Sequence, residues 1–170
     1  IETKELFNIN SENIEVIIHP QSIIHSMVGF NDGSIIAQLG PTDMIGAIGY
    51  AINYPNRTKL PIERLDFVKL KQIEFVEVDD TKFPSIKFAM LAIKLGGLAG
   101  TAFNAAKEQA LDAFLVNKIK FLDMFKYVEI ALNEYKDNKS DNYSSIQEVI
   151  AQDIHTRRIV LNAIESSLND

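Results

Sequence analysis

Two histidines, three serines and a loop methionine are concentrated in residues 17–44 of this 170-residue chain. His19, Ser22 and His25 lie near the ends of short apolar runs, and Met44 follows a Gly-Pro-Thr-Asp segment. An imidazole can donate a hydrogen bond to, or accept one from, a phosphate or hydroxy-ketone group near neutral pH. A serine hydroxyl can meet the same kind of oxygen. These residues are therefore the best sequence candidates for a site that binds a small anion.

Each of these residues also has a purely structural interpretation. His25 can be a buried histidine bonded to backbone, Ser22 a turn residue that follows Pro20, and Met44 a core residue on a helix face. Pro20 fixes the chain direction after His19, so the ring of His19 is expected to cap the end of a strand. The residues alone leave both interpretations open.

We expect a hairpin and a helix to position these candidate residues. Apolar runs at residues 16–18, 23–28 and 35–37 predict strands, and Asn31-Asp32-Gly33 predicts the turn between the last two. Apolar residues at three- and four-residue steps then predict a helix over residues 43–54. We expect Thr42 or Asp43 to cap this helix and Pro55 to end it.

The rest of the chain changes from extended to helical periodicity. Residues 56–66 predict an extended connector, residues 73–78 an edge strand, and Pro84 the first turn of a helix. Thr101 is expected to cap the next helix. Two more helices are predicted over residues 121–135 and 144–168. The side chains expected to face the core are Ile86, Met90, Ile93, Ala105, Ala106, Ala110, Ala113, Phe114, Phe121, Phe125, Val128, Leu132, Ile146, Ile150, Ile154, Leu161 and Ile164.

Composition excludes several classes of function. The net charge is −6 and no Lys/Arg run exceeds two residues, which argues against nonspecific binding to nucleic acid. No apolar stretch approaches the roughly 20 residues that span a bilayer. The chain has no cysteine, no glycine-rich nucleotide loop and no spacing typical of metal ligands. The sequence therefore predicts no membrane segment and no cofactor or metal site of its own.

Several strings together resemble one enzyme family. They are IHPQSIIHS at residues 18–26, an Asp-Gly turn followed by AQLG and Asp-Met, YPNR at 54–57, LDF at 65–67, FPSIK at 83–87, NAAKE at 104–108 and IKFLD at 119–123. In this order they resemble the C-terminal half of 1-deoxy-D-xylulose 5-phosphate reductoisomerase. The resemblance covers nearly the whole chain and weakens after about residue 135.

The resemblance implies an α+β fold. Residues 1–56 would be the C-terminal part of a catalytic domain with an open, mainly antiparallel dimerisation sheet, residues 57–82 a linker with an edge strand, and residues 83–170 a C-terminal helical bundle domain. The implied parent enzyme isomerises 1-deoxy-D-xylulose 5-phosphate and reduces the intermediate with NADPH to 2-C-methyl-D-erythritol 4-phosphate, in the non-mevalonate pathway of isoprenoid biosynthesis. Its metal would be Mg²⁺ or Mn²⁺.

The same resemblance suggests roles for individual residues. His25 and Ser22 align with residues of the substrate site, and Met44 with a methionine that faces both substrate and nicotinamide. Glu2 would lie one helical turn after the last metal carboxylate and support it from behind. No metal ligand is expected in this chain. It departs from the family pattern at Thr42, usually Pro, at Ile45, usually Arg, and at Lys107, usually Asn.

The first seven residues favour a helix, but no initiator Met and no capping residue precede them. We therefore expect a fragment, inactive alone, that pairs with the missing N-terminal half of the same protein, forms a homodimer and binds a sugar phosphate. The alternatives are a non-catalytic dimerisation or assembly module, and a related enzyme with another sugar-phosphate substrate. The expected location is a bacterial cytoplasm, with a plastid or apicoplast as the alternative.

Overall fold

A computed structural model describes residues 1–138, 143 and 145–168, which divide into two compact units. One unit comprises residues 1–15 and 79–170, and the other comprises residues 16–78. The chain is mostly helical and has one two-stranded antiparallel sheet in the part that the structure describes. The elements in chain order are α1 (Glu2–Phe7), a 3-10 turn (Ser11–Asn13), β1 (Ile24–Gly29), β2 (Ile35–Leu39), α2 (Met44–Asn53), α3 (Phe67–Leu70), α4 (Pro84–Leu95), α5 (Ala99–Leu115), α6 (Asp123–Asp137) and α7 (Ile146–Leu168). The predicted α+β fold class is confirmed.

The hydrophobic core lies in the helical unit, where α5 packs against α4, α6 and α7. One face of α5 carries small side chains that are fully or almost fully buried, as predicted for Ala105, Ala106, Ala110 and Ala113. Larger side chains of α6 and α7, among them Leu132, Val160 and Ile164, fill the same core. Because alanine has no side-chain atoms beyond Cβ, the neighbouring helices can approach the α5 backbone closely.

Helix α5 begins before the predicted cap at Thr101, so that prediction is wrong. The helix starts at Ala99, and no side chain of its own N-cap residue bonds to it. Instead the buried hydroxyl of Tyr135 in α6 accepts a hydrogen bond from the N–H of Leu98 at 2.8 Å and donates one to the carbonyl of Gly96 at 3.3 Å. A side chain 37 residues away in sequence therefore satisfies the N–H of the residue that directly precedes the helix.

The buried face of α7 is not the one that the isoleucine spacing predicted. Ile146, Ile150 and Ile154 are 63%, 51% and 53% exposed. Thr156 and Val160 are buried instead, together with the correctly predicted Ile164. Both faces of α7 carry apolar residues, so the packing of the bundle rather than the periodicity decides its rotation. The helix predicted over residues 144–168 is described from Ile146, and the hydroxyl of Ser145 just before it accepts from the N–H of Glu148 at 3.4 Å, while Ser144 lies outside the described residues.

An ion-pair cluster joins α5 to α7. Arg157 donates from Nε to Asp153 one turn earlier at 2.7 Å, and from its terminal nitrogen to Glu108 of α5. Asn104 also donates to Glu108, at 3.0 Å. These hydrogen bonds from Arg157 and Asn104 lower the pKa of the Glu108 carboxyl, and the charge of the exposed Lys107 beside it adds to the effect.

We expect this cluster to make the stability of the bundle depend on acid pH. The pKa of Glu108 is lower in the folded chain than its ordinary value of 4.5, so the stabilisation is fully present above that value and is lost as pH falls below it. Thermal unfolding of wild type and Glu108→Gln should differ at neutral pH, and the difference should shrink below about pH 4.5. Glu165→Gln is the matched control, because this exposed carboxylate has no ion pair in the described ranges. A difference between wild type and Glu108→Gln that stays constant down to pH 3 would contradict the assignment.

The other unit is built on the β1–β2 hairpin. The strands pair from Gly29 opposite Ile35 to Ile24 opposite Leu39, and Gly33 takes a positive φ of 85° in the predicted turn. The predicted strand over residues 73–78 is wrong, since the pairing there is a single bridge between Val76 and Ile18. In the described chain, all buried residues belong to the helical unit. The described helices are each too short or too polar to span a bilayer.

Helix α2 is capped as predicted, and the connector (residues 56–66) packs against its glycines. Asp43 accepts a hydrogen bond from the N–H of Ile45 at 2.9 Å, and the helix ends two residues before Pro55. A Cβ built on Gly49 would lie 2.6 Å from both terminal methyls of Leu60, and one on Gly46 would lie 3.7 Å from Ile62. The connector therefore packs against α2 because glycine leaves space for these side chains.

Gly46→Ala and Gly49→Ala should have different effects although they lie three residues apart in the same helix. Either substitution gains about 1 kcal/mol of helix propensity. At Gly49 the new methyl collides with the terminal methyls of Leu60, so that side chain must move away from α2 and the contact with the connector that it makes there is weakened. Amide hydrogen exchange of α2 should show greater protection in Gly46→Ala than in Gly49→Ala. Equal protection in the two variants would mean that Leu60 does not pack as described.

Candidate functional site

His25 lies at an irregularity of the hairpin. Ile24 pairs with Leu39 and Ser26 pairs with Gln38, so β1 carries one extra residue between these two pairs, and that residue is His25. A bulge of this kind redirects a side chain and is common beside functional sites. The imidazole is exposed and lies against Gly40, where an added Cβ would be 3.7 Å from its Cε1 atom. The imidazole is therefore not buried among the described residues.

Ser22 lies in a strained turn just before β1. Its φ is 52°, in the left-handed region that a serine seldom adopts, and its N–H donates to the carbonyl of His19 at 3.0 Å. The next residue, Ile23, accepts a hydrogen bond from the N–H of Gly40 at 3.0 Å. These bonds bring the Ser22 turn, the start of β1 and the end of β2 together. The exposed hydroxyl of Ser22 and the imidazole of His25 lie within three residues of each other at this end of the hairpin.

Met44 is the first residue of α2, four residues beyond Gly40. The cap at Asp43, which also donates its N–H to the carbonyl of Pro41 at 2.8 Å, fixes where the helix begins. The Met44 side chain is 70% exposed, so it is not the core residue that the alternative interpretation predicted. An exposed, polarisable thioether at this position is available to cover an apolar ring.

Glu2 lies in the other compact unit, at the start of α1, and its side chain is exposed. Within the described residues, no group of three or more His, Asp or Glu side chains is placed to hold a metal ion.

His19 follows the isolated bridge at Ile18 rather than a strand, so the predicted strand over residues 16–18 and its cap by His19 are wrong. Its Nδ1 donates to the carbonyl of Glu74 at 2.8 Å, and its ring packs against Phe75 with centroids 5.2 Å apart. Gln21 makes two further hydrogen bonds to Glu74. Together with the Ile18–Val76 bridge, these contacts join the segment before β1 to residues 74–76.

A cavity of about 700 Å³ beside α2 involves residues that sequence reasoning treated only as a connector. Its lining includes three cations, Arg57, Lys59 and Arg64, and the Gly40–Pro41 segment next to His25. The available signal was the occurrence of three cations within eight residues of a chain whose net charge is −6.

Comparison with known proteins shows which family this chain belongs to. Residues 39–159 match the family model described as the DXP reductoisomerase C-terminal domain. The chain belongs to this family. It is 45% identical over 164 residues to the 1-deoxy-D-xylulose 5-phosphate reductoisomerase of Sinorhizobium medicae (strain WSM419), and 46% identical over 164 residues to that of Agrobacterium fabrum (strain C58). Each alignment covers 96% of this chain and 41% of the relative. The chain thus spans about two fifths of the length of these reductoisomerases.

Solved structures of reductoisomerases share the fold. The enzyme from Zymomonas mobilis in complex with NADPH superposes with a TM-score of 0.86 at 43% identity, over 96% of this chain and 43% of that one. A DOX-P reductoisomerase in complex with NADPH, fosmidomycin and magnesium gives a TM-score of 0.90 at 35% identity, over 96% of this chain and 42% of that one. The resemblance noted in the sequence is confirmed at the level of the family and of the fold.

Proposed function

We propose that this chain is the part of a 1-deoxy-D-xylulose 5-phosphate reductoisomerase that forms one wall of the substrate pocket. The complete enzyme would convert this sugar phosphate into 2-C-methyl-D-erythritol 4-phosphate, with NADPH supplying the hydride and Mg²⁺ or Mn²⁺ stabilising the developing charge on the substrate oxygens. The observation that carries the proposal is the family match over residues 39–159, which begins at the strand end facing the His25 bulge.

Within that enzyme, His25 would hydrogen-bond an oxygen of the sugar phosphate, and the Ser22 hydroxyl would bond a neighbouring oxygen. The bulge and the left-handed turn support these roles, because both present a polar side chain away from the regular pairing of the strands. Met44 would cover an apolar surface of the substrate or the nicotinamide and exclude water. Glu2 would support a metal carboxylate that lies outside this chain.

The hairpin would also form the homodimer sheet. Ile35 and Ile36 of β2 are 65% and 66% exposed, and Val28 of β1 is exposed as well. Exposed apolar strands with free edges associate with other strands unless they are covered. A second copy of the hairpin would provide that cover. The bacterial relatives favour a bacterial source, and a bacterial cytoplasm is the location that we propose.

The test is NADPH oxidation with 1-deoxy-D-xylulose 5-phosphate and Mn²⁺. The chain is assayed alone and then mixed with the separately expressed part of the Agrobacterium fabrum relative that it does not cover. We expect turnover only in the mixture, because the NADPH and metal sites would be supplied by the added part. Turnover by the chain alone, or none in a mixture shown by size-exclusion chromatography to have assembled, would overturn the proposal.

A further inference from the structure

We propose that the cavity lined by residues 39–41 and 57–67 binds a small organic phosphate that carries an apolar body. This cavity, here called the connector cavity, lies within one compact unit and has a volume of about 700 Å³. Pockets for small ligands commonly have volumes of 300–1,000 Å³. Its cations would bind the phosphate group of such a ligand, and its apolar side chains would contact the apolar body.

The charge of the connector cavity is positive although the chain is acidic. Arg57, Lys59 and Arg64 line it, whereas the lining contains a single carboxylate, that of Glu63. None of the three cations forms an ion pair within the described part of the chain. Three like charges gathered around one concavity repel one another, and a bound anion would relieve that repulsion.

The nearby carboxylates are bonded elsewhere. Asp43 accepts from the backbone of α2, and Asp66 accepts from the N–H groups of Val68 and Lys69 at 3.0 and 3.1 Å. Both aspartates cap helices, so their oxygens bond backbone N–H groups rather than the cations of the cavity. With the carboxylate of Glu63 counted against the three cations, the side chains that line the cavity carry a net charge of +2.

Arg57 lies over the ring of Tyr50. Its guanidinium carbon is 4.1 Å from the centroid of that ring, and Tyr50 makes an edge contact with Tyr54 at 5.7 Å. A guanidinium that packs over an aromatic ring still has N–H groups that can donate hydrogen bonds. Those groups can donate a bidentate pair of hydrogen bonds to a phosphate.

Several side chains that line the cavity are apolar, and two of them pack against α2. Leu60 and Ile62 line it and also contact the glycine face of α2 described above. Leu39, Leu65 and Phe67 contribute further apolar surface. An anion without an apolar part would leave this surface in contact with water, so a phosphate ester with a hydrocarbon body fits better than inorganic phosphate.

The probe is n-hexyl phosphate, titrated into the ¹⁵N-labelled 170-residue chain and followed by amide chemical shifts. We expect saturable shifts in residues 39–41 and 57–67 and binding at least tenfold tighter than that of inorganic phosphate. Arg64→Gln and Lys59→Gln should each weaken binding about tenfold, as expected when one charged hydrogen bond is lost. Both side chains are exposed and unpaired in the described chain, so the fold should be retained.

Lys71→Gln is the matched control, because it removes the same charge from an exposed side chain of the same unit that neither lines the cavity nor forms an ion pair within the described residues. Equal weakening by Lys71→Gln would indicate nonspecific attraction and overturn the proposal. Equal affinity for inorganic phosphate, or binding only to phosphatidylglycerol vesicles, would also overturn it. The assay needs no turnover, so its result is independent of the reconstitution experiment above.

Discussion

Ala106→Leu is expected to destabilise the helical bundle by about 3 kcal/mol, the upper end of the usual cost of overpacking a core. Ala106 is fully buried on the face of α5 that contacts the other helices of the bundle. The added carbons can be accommodated only if the helices move apart or adopt unfavourable rotamers. Urea unfolding followed by the helical circular dichroism signal should show a lower midpoint with a similar slope.

The control for Ala106→Leu is Ala151→Leu in α7. Ala151 is exposed, so the same added volume lies in solvent and stability should change by less than about 0.5 kcal/mol. If the two substitutions lowered the midpoint equally, the close packing of α5 described here would be wrong.

His25→Gln is expected to raise the KM for 1-deoxy-D-xylulose 5-phosphate about tenfold in the reconstituted enzyme. The loss of one hydrogen bond to a charged substrate costs about 1.5 kcal/mol, which corresponds to roughly a factor of ten. The imidazole is exposed in the hairpin, so the substitution should leave the fold intact. A role confined to binding predicts a small change in kcat, because ground state and transition state lose the same contact.

His155→Gln in α7 is the matched control for this experiment, because it removes an exposed imidazole that lies on the other compact unit. Its KM should equal that of wild type. If His25→Gln also left KM unchanged, while Ile36→Asp in β2 abolished the dimer, the non-catalytic assembly module would be the better interpretation of the hairpin.

Local features of the chain were largely predictable from sequence. The turn at Asn31-Asp32-Gly33, the cap at Asp43 and the end of α2 before Pro55 depend on the chemistry of neighbouring residues, and the structure has all three. The alanine face of α5 was also predictable, since its spacing follows the helical repeat.

Features that depend on residues far apart in the chain could not be predicted from the local sequence. Helix α5 begins before Thr101, next to the point where the Tyr135 hydroxyl from α6 bonds the N–H of Leu98. Packing against the neighbouring helices decided which of the two apolar faces of α7 is buried. Val76 pairs with Ile18, 58 residues earlier in the chain, and neighbouring residues do not extend this pairing into a strand. A partner so distant in sequence cannot be read from the local pattern.

The candidate site shows the same division. Sequence by itself made His25, Ser22 and Met44 candidates, because side-chain chemistry and motif order can be read without coordinates. Only the tertiary structure placed His25 at a bulge, Ser22 in a left-handed turn and three connector cations around one cavity. The bulge and the turn arise from strand pairing, which joins residues far apart in the chain. The connector cations are close together in sequence, but their shared cavity depends on how the connector packs against α2.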